Sequence, residues 1–487
     1  MKRLLSFVLA SLFFFPIFAQ EEDKVVERII ELGKSDNQTM HHSDVLSNVI
    51  GGRFIGSFAL SNAEKWAARE FESWGLEVIV DTVGVLNVGF DRGPFSGRLL
   101  SEDGEILHFA TPTFTVGTKG VQRGEAVIMP KDSMTFERMK GVIDGAWVLW
   151  DSLSPGFAVS QSEPLMKRVI EAGALGIIQP ANVPIRALYD KEYKKYSFDS
   201  LPAVPNILLA KDQFDKIYKK ASQREYFQLE FDIRNHFRMG PAPYCNVLGV
   251  MRGTEYPDEY VFLSCHLDSY DIASGGVDCG AGVCVTMEAA RLLALSGAKP
   301  KRTIIFALWT GEEAGLLGSK HWVENNPDKL DKISNFFNRD YAPTVPTYIA
   351  VNEAMYEDFC KVCEGIGEIN EEFPFQVIKN TRPPRPRPTT AGGSDHAYFA
   401  MNGVPTIGLG ITDHKGYNFN YGEIWHTERD SYNKVYPDYQ EHASIVSAIV
   451  AYRLANLDHL LSREGLYAEP KAEEPKVEKT KGRRSRK

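Results

Sequence analysis

Cysteine is scarce, with six in 487 residues, so the chain is no disulfide scaffold and must stand on a packed core. Basic charge is also short: 55 Lys and Arg against 64 Asp and Glu give a net charge of −9, which argues against nucleic acid as a partner. Beyond the first 20 residues there is no apolar run long enough to span a bilayer. What remains is ordinary for a globular protein, 43% hydrophobic and 24% charged, in a chain long enough for two or more packed domains.

The N-terminus is the exception to this even texture. Met1-Lys-Arg3, an apolar stretch from Leu4 to Phe18, then Ala19-Gln20 and an acidic start at Glu21 read as an export signal over residues 1–19. The stretch is shorter than the ~20 apolar residues a membrane span prefers. The expectation is an extracytoplasmic protein, periplasmic or secreted, with no membrane contact after cleavage near Ala19. Cys265 and Cys284 lie in apolar runs and read as buried free thiols. Cys360-Lys-Val-Cys363 lacks the second pair that a structural zinc site needs.

Patterning divides the remainder. Val25–Leu32 and Asn62–Trp74 read as helices, the second with Ala63, Trp66, Ala67 and Phe71 on one stripe. Residues 97–235 change texture to short alternating strands and one helix, a small α/β lobe without a cluster of catalytic residue types. From Cys245 onward strands and helices alternate. Asn246–Val250, Tyr260–Cys265, Arg302–Trp309 and Pro405–Leu409 read as strands. Ala281–Leu295, Ala314–Asn325 and Tyr439–Leu461 read as helices. That alternation predicts an α/β fold: a mixed, largely parallel central sheet with helices on both faces, interrupted by the lobe. The expected divisions are a signal at 1–19, a catalytic domain in two parts at 20–96 and 236–462, the lobe between them, and a disordered charged tail at 463–487.

One pair of residues then stands out. Glu312 and Glu313 follow the apolar run Thr303–Trp309, inside Thr310-Gly-Glu-Glu-Ala-Gly315, where a strand is expected to open into a helix. Consecutive helical side chains point about 100° apart, so one can grip a metal while its neighbour faces a water. Acidic residues in a first helical turn are also ordinary, since they complement the helix dipole. His266 follows the strand Tyr260–Cys265, at the edge where α/β sheets collect ligands. Asp268 is placed to accept a hydrogen bond from the imidazole nitrogen turned away from a metal. Asp278, in Ser274-Gly-Gly-Val-Asp-Cys-Gly-Ala-Gly282, reads as a helix N-cap or as a carboxylate shared by two metals. Asp340 in Phe336-Phe-Asn-Arg-Asp-Tyr341 and His426 in Ile424-Trp-His-Thr-Glu-Arg-Asp430 complete the set. Two imidazoles and three carboxylates suit two zinc ions, with Co²⁺ or Mn²⁺ as substitutes in vitro. Such ions would acidify a water to a pKa of roughly 7, and Glu312 would take its proton.

The segments Cys265-His-Leu-Asp-Ser269, Gly276-Val-Asp-Cys-Gly280, Thr310-Gly-Glu-Glu-Ala-Gly315, Gly393-Ser-Asp-His396 and Trp425-His-Thr-Glu-Arg-Asp430 resemble the co-catalytic di-zinc exopeptidases. That family includes leucyl-type aminopeptidases and carboxypeptidase Q. Ile50-Gly-Gly-Arg-Phe-Ile-Gly-Ser57 is similar to its N-terminal segment. Gly145-Ala-Trp-Val-Leu-Trp150, Lys167–Ile178 and Leu201-Pro-Ala-Val-Pro205 are similar to a protease-associated domain. The resemblance implies two zinc ions per chain, one on His266, Asp278 and Asp340 and one on Asp278, Glu313 and His426. It further implies Glu312 as general base, a cis peptide after Asp278, short peptides as substrates and, as in many relatives, a homodimer. Cys279 departs from the usual Asn or Asp after the bridging carboxylate, and Asn338-Arg-Asp-Tyr341 departs from the usual surroundings of the third carboxylate.

Whether an amino or a carboxyl terminus is recognised stays open on sequence alone, and with it the choice between aminopeptidase and carboxypeptidase Q-type dipeptidase. Tyr417, Asn418 and Tyr421 are candidate pocket residues. Two other functions compete. Glutaminyl cyclases share the Glu-Glu and Trp-His-Thr segments but generally bind one zinc and lack the lobe. Receptor-like binding modules on this fold have lost metal ligands that are all present here.

Overall fold

The computed structural model describes residues 15–100, 104–340 and 343–468. Of the expected signal only the backbone from residue 15 falls within them, as the start of helix α1 (Phe15–Ser35). The expected charged tail lies outside the described residues from 469 on. No described helix is long and apolar enough to cross a membrane.

Helix α2 (Phe58–Ser73) starts earlier than its apolar stripe suggests, because the Ser57 hydroxyl accepts the Leu60 N–H at 3.0 Å and caps the first turn. The central sheet then takes its strands from both sides of the lobe: β1 (Glu77–Asp91), β2 (His236–Met251), β3 (Tyr256–His266), β4 (Arg302–Trp309) and β5 (Ile333–Asn338), in the order β1-β2-β4-β3-β5. Both β1 and β4 run antiparallel to β2, while β3 is parallel to β4 and β5. Only β2 therefore opposes the common direction. β4 is buried along its whole length, as expected of a strand covered on both faces.

Alternation along β3 assigns the two faces. Val261, Leu263 and Cys265 join a core with α2, α3 (Gly282–Leu295) and α5 (Pro437–Ala455). Tyr260 and Phe262 face Trp322 of α4 (Leu317–Asn325), Phe336 and Phe399. Between β1 and β2 the chain builds two further sheets of four and five strands, spanning Phe95–Ile233, around Trp147, Phe214 and Phe231.

Several expectations need correction. The helix after Glu313 begins at Leu317, not Ala314, because Gly311, Gly315 and Leu316 take positive φ angles of 67°, 111° and 58° that no right-handed helix accommodates. Glu312 and Glu313 therefore sit in a turn, not on a helix. The strand placed at Pro405–Leu409 forms its ladder at Leu409–Thr412. The preceding residues are instead held to β5 by Phe336 N–H donating to the Pro405 carbonyl and by the Asn335 side chain on Ile407. Helix α5 stops at Ala455 rather than running to Leu461. Cys265, expected free, is bonded to Cys279. Cys284, Cys360 and Cys363 are free.

Candidate metal centre

The sheet delivers the site in register. His266 pairs with Trp309 and Ser264 with Asn338 across the parallel ladders. The carboxyl ends of β3, β4 and β5 are thus level, and each continues into a loop carrying candidate ligands: His266 itself, Glu312–Glu313, and Asp340. Asp278 arrives from the loop before α3, where its φ of −98° and ψ of 91° and a cis peptide to Cys279 take it out of helical geometry. It caps no helix. Asp430 accepts the Val277 N–H at 2.7 Å and the Asp278 N–H at 3.3 Å, which fixes that loop.

All five candidates converge. His266 Nε2 lies 3.3 Å from Asp278 Oδ1 and 3.4 Å from Asp340 Oδ1. His426 Nε2 lies 3.5 Å from Asp278 Oδ2 and 3.2 Å from Glu313 Oε2. Two donors on a tetrahedral zinc with bonds of about 2.0–2.1 Å stand about 3.3 Å apart, so these spacings match a ligand shell. Polar atoms of the cluster are otherwise idle: His266 Nε2, Asp278 Oδ2 and Glu313 Oε1 are buried without a hydrogen-bond partner, which folded proteins avoid unless something else satisfies them. The donor set fits zinc, and Asp278 turns one oxygen toward each imidazole. Cys279 also approaches His266 and Asp340, but its sulfur is bonded to Cys265.

Asp268 works differently from expectation. The His266 Nδ1 partner is the backbone carbonyl of Asp268, at 2.9 Å, while the nearest carboxylate oxygen is 3.8 Å away. The Asp268 carboxylate instead accepts the Glu312 and Glu313 N–H groups, at 3.1 and 3.2 Å. It holds the Glu-Glu turn rather than the imidazole.

Electrostatics follow from crowding acids in a dry place. Burial lifts the Glu312 carboxyl well above the usual range, with His266 opposing and Glu313, Asp340 and Asp395 adding to it. Glu313 is lifted in the same way, by burial and then by Asp278. Burial takes the His426 imidazole down to about 4, against the pull of Asp278, so it is a neutral donor near pH 7. Among the described residues the Glu312 carboxylate has neither ion pair nor hydrogen bond, leaving it available beside the ligands.

Four neighbours were not singled out from sequence. The Arg53 guanidinium, fully buried, donates to the carbonyls of Leu267 at 2.5 Å and of Ser274 and Gly275 at 3.2 Å, stitching the N-terminal segment to the ligand loops. Asp395 receives the Ser319 hydroxyl at 2.5 Å, and its second oxygen is orphaned beside the site. Asp430 secures Asp278, and the Tyr270 ring lies 4.6 Å from that of His426 while its hydroxyl donates to the Glu313 carbonyl. None carries a local spacing signal; each acts across more than 40 residues of sequence. Of the candidate pocket residues, Tyr421 lies close enough to Asp278, Asp340 and Glu313 for their charge to add to burial in raising its phenol pKa. Tyr417 stacks on Tyr436 and binds Asp438, and Asn418 is exposed.

Residues 246–450 match the model of peptidase family M28, and every candidate ligand lies within that stretch. The chain is a metallo-exopeptidase, similar over that stretch to family M28. Over its length it is similar to mouse carboxypeptidase Q, 25% identical over 461 residues that cover 91% of this chain and 92% of the mouse protein. Human carboxypeptidase Q is 22% identical over 460 residues, covering 90% of each. Among solved structures, a peptidase M28 precursor from Shewanella amazonensis superimposes with a TM-score of 0.60 at 20% identity, covering 91% of this chain and 98% of its own. A zinc aminopeptidase from Bacillus subtilis gives a TM-score of 0.55 at 17% identity, covering 89% and 98%. At such identities these structures speak for the fold, an α/β fold with a mixed sheet.

Proposed function

We propose that this metallo-exopeptidase is an exported zinc enzyme that releases single residues from short peptides or splits dipeptides. Two zinc ions would be held by His266, Asp278 and Asp340 and by Asp278, Glu313 and His426. The observation that carries this reading is the placement of Asp278, whose two oxygens face two different imidazoles at 3.3 and 3.5 Å. Zinc held there supplies Lewis acidity toward the scissile carbonyl and lowers the pKa of water to about 7. Glu312, unpaired and raised in pKa, takes the proton from the attacking water and passes it to the leaving amine as the C–N bond breaks. Asp268 keeps Glu312 and Glu313 at fixed height through their backbone N–H groups, and Tyr270 backs His426.

The export reading rests on the apolar run Leu4–Phe18, and the lobe at 97–235 is read as a protease-associated domain inserted into the catalytic domain. That insertion, with a shared carboxylate for two ions, disfavours a one-zinc glutaminyl cyclase; the full ligand set disfavours a non-catalytic binding module. The test is metal analysis with activity: two zinc ions per chain, dipeptide hydrolysis lost on chelation and regained with zinc. One tight ion per chain, or no zinc-dependent hydrolysis of any dipeptide, would overturn it.

A further inference from the structure

The lobe reaches the site through residues 185–189. Arg186 forms a backbone bridge with Thr427, next to His426, and Glu428 N–H donates to the Ile185 carbonyl. Tyr189 lies parallel to Tyr270 at 6.4 Å, and Tyr270 in turn packs on His426. Here the Arg186 guanidinium stands 4.2 Å over the Trp425 ring, and that ring is itself 4.2 Å from the His426 ring. Among the described residues it has no carboxylate and no hydrogen-bond partner, although it is partly buried. Its positive charge also reaches His426, where it adds to burial in disfavouring the imidazolium.

The other charges of this rim are already committed. Glu428 is taken by His108 at 2.7 Å and by the Ile185 N–H at 3.0 Å. Glu423 faces Arg429, and Asp271 holds Arg92 at 2.7 Å. A guanidinium without a carboxylate partner, beside rim carboxylates that already hold theirs, is free to receive an anion from outside. Stacking on an indole fixes the guanidinium plane without using its five N–H donors, which remain for a two-pronged grip on a carboxylate. In a dipeptide the scissile carbonyl carbon and the terminal carboxylate are roughly 4 Å apart, a span comparable to the single indole that separates the guanidinium from the His426 ring.

Resting on the peptidase reading above, we propose that Arg186 binds the free α-carboxylate of the residue on the leaving side, so that the enzyme prefers substrates ending there. That would select dipeptides or C-terminal residues over amides and longer extensions. An aminopeptidase would gain nothing from a cation in this place.

The experiment compares free and C-amidated versions of one dipeptide, and an amino-acid p-nitroanilide, on the zinc-loaded full chain and on Arg186→Gln and Arg186→Lys. The free dipeptide should be favoured over its amide by roughly 10- to 100-fold in kcat/KM, the range of a charge-assisted hydrogen bond. Arg186→Gln should raise KM for the free dipeptide by a similar factor with kcat within about threefold, leave the amide unchanged, and so erase the preference. Arg186→Lys should recover part of it. Equal use of amide or p-nitroanilide by the wild type would overturn the proposal, as would an equal loss on free and amidated substrates in Arg186→Gln, the mark of a merely structural stack. Either result still shows zinc-dependent hydrolysis and spares the peptidase reading, whereas failure of that reading shows no hydrolysis of any of the three.

Discussion

The carboxylate of Asp268 accepts the backbone N–H of Glu313 at 3.2 Å, and its other oxygen accepts the preceding N–H, that of Glu312. One buried acid at the end of β3 thereby sets the height of two others at the end of β4. Neither side chain of the Glu pair is touched by it.

Asp268→Asn tests this. An amide keeps one acceptor but turns an NH₂ toward a backbone N–H, so one of the two hydrogen bonds becomes a donor–donor contact. Residues supporting metal ligands typically cost 10- to 100-fold in affinity or activity when lost. The expected outcome is a fall of that order in kcat with zinc saturating. A variant with wild-type kcat would show that the turn keeps its place without Asp268.

Glu312→Gln separates chemistry from metal binding. The side chain has no ion pair or hydrogen bond to lose among the described residues, so the change should leave fold and zinc content intact. Removing a general base costs about 10²–10⁴-fold. Zinc per chain by mass spectrometry should match the wild type while kcat drops by that factor. Loss of zinc together with activity would make Glu312 a ligand instead.

How much of this was legible beforehand depends on distance along the chain. The central strands were readable because Tyr260–Cys265 and Arg302–Trp309 are buried on both faces and so are nearly continuous apolar runs. His266 and the Glu pair were readable because parallel strands deliver ligands at their carboxyl ends. The sequence pattern predicts a helix at the Glu-Glu pair, where a turn stands, because positive φ at Leu316 leaves no mark in residue type. The spacing of His266 and Asp268 predicts a carboxylate partner for the imidazole, but a backbone carbonyl, invisible in sequence, reaches the ring first. Asp430, Arg53 and Arg186 depend on loops meeting in space, which composition and periodicity do not encode.

Gly318, at the start of α4, tests how the Glu-Glu turn is seated. A Cβ there would lie 2.2 Å from Asn246 Oδ1 and 2.6 Å from the Thr310 carbonyl. Asn246 Oδ1 accepts the Thr310 N–H at 3.1 Å, at the root of the same turn. Gly318→Ala must push Asn246 or Thr310 aside, at a cost of about 1–3 kcal/mol for overpacking. A lower Tm and reduced kcat are expected together. An unchanged Tm would mean that the turn yields freely and is not held by this contact.

Glu64 supplies a pH dependence away from the proposed ligands. Its side chain is buried under α2 and accepts the Cys245 N–H at 2.7 Å, and burial raises its pKa from 4.5 to about 8. The folded state therefore binds a proton that the unfolded chain gives up above pH 4.5. Stability linked to this group is fully present below about pH 4.5 and declines as pH rises toward 8, at ~1.4 kcal/mol per unit while the two states differ by one proton. Glu64→Gln keeps the acceptor for Cys245 and cannot ionise. Thermal unfolding should show variant and wild type close together at pH 5, with the variant gaining steadily up to pH 8. Parallel curves across that range would show that Glu64 is ionised in the folded protein and that a partner, not burial, governs it.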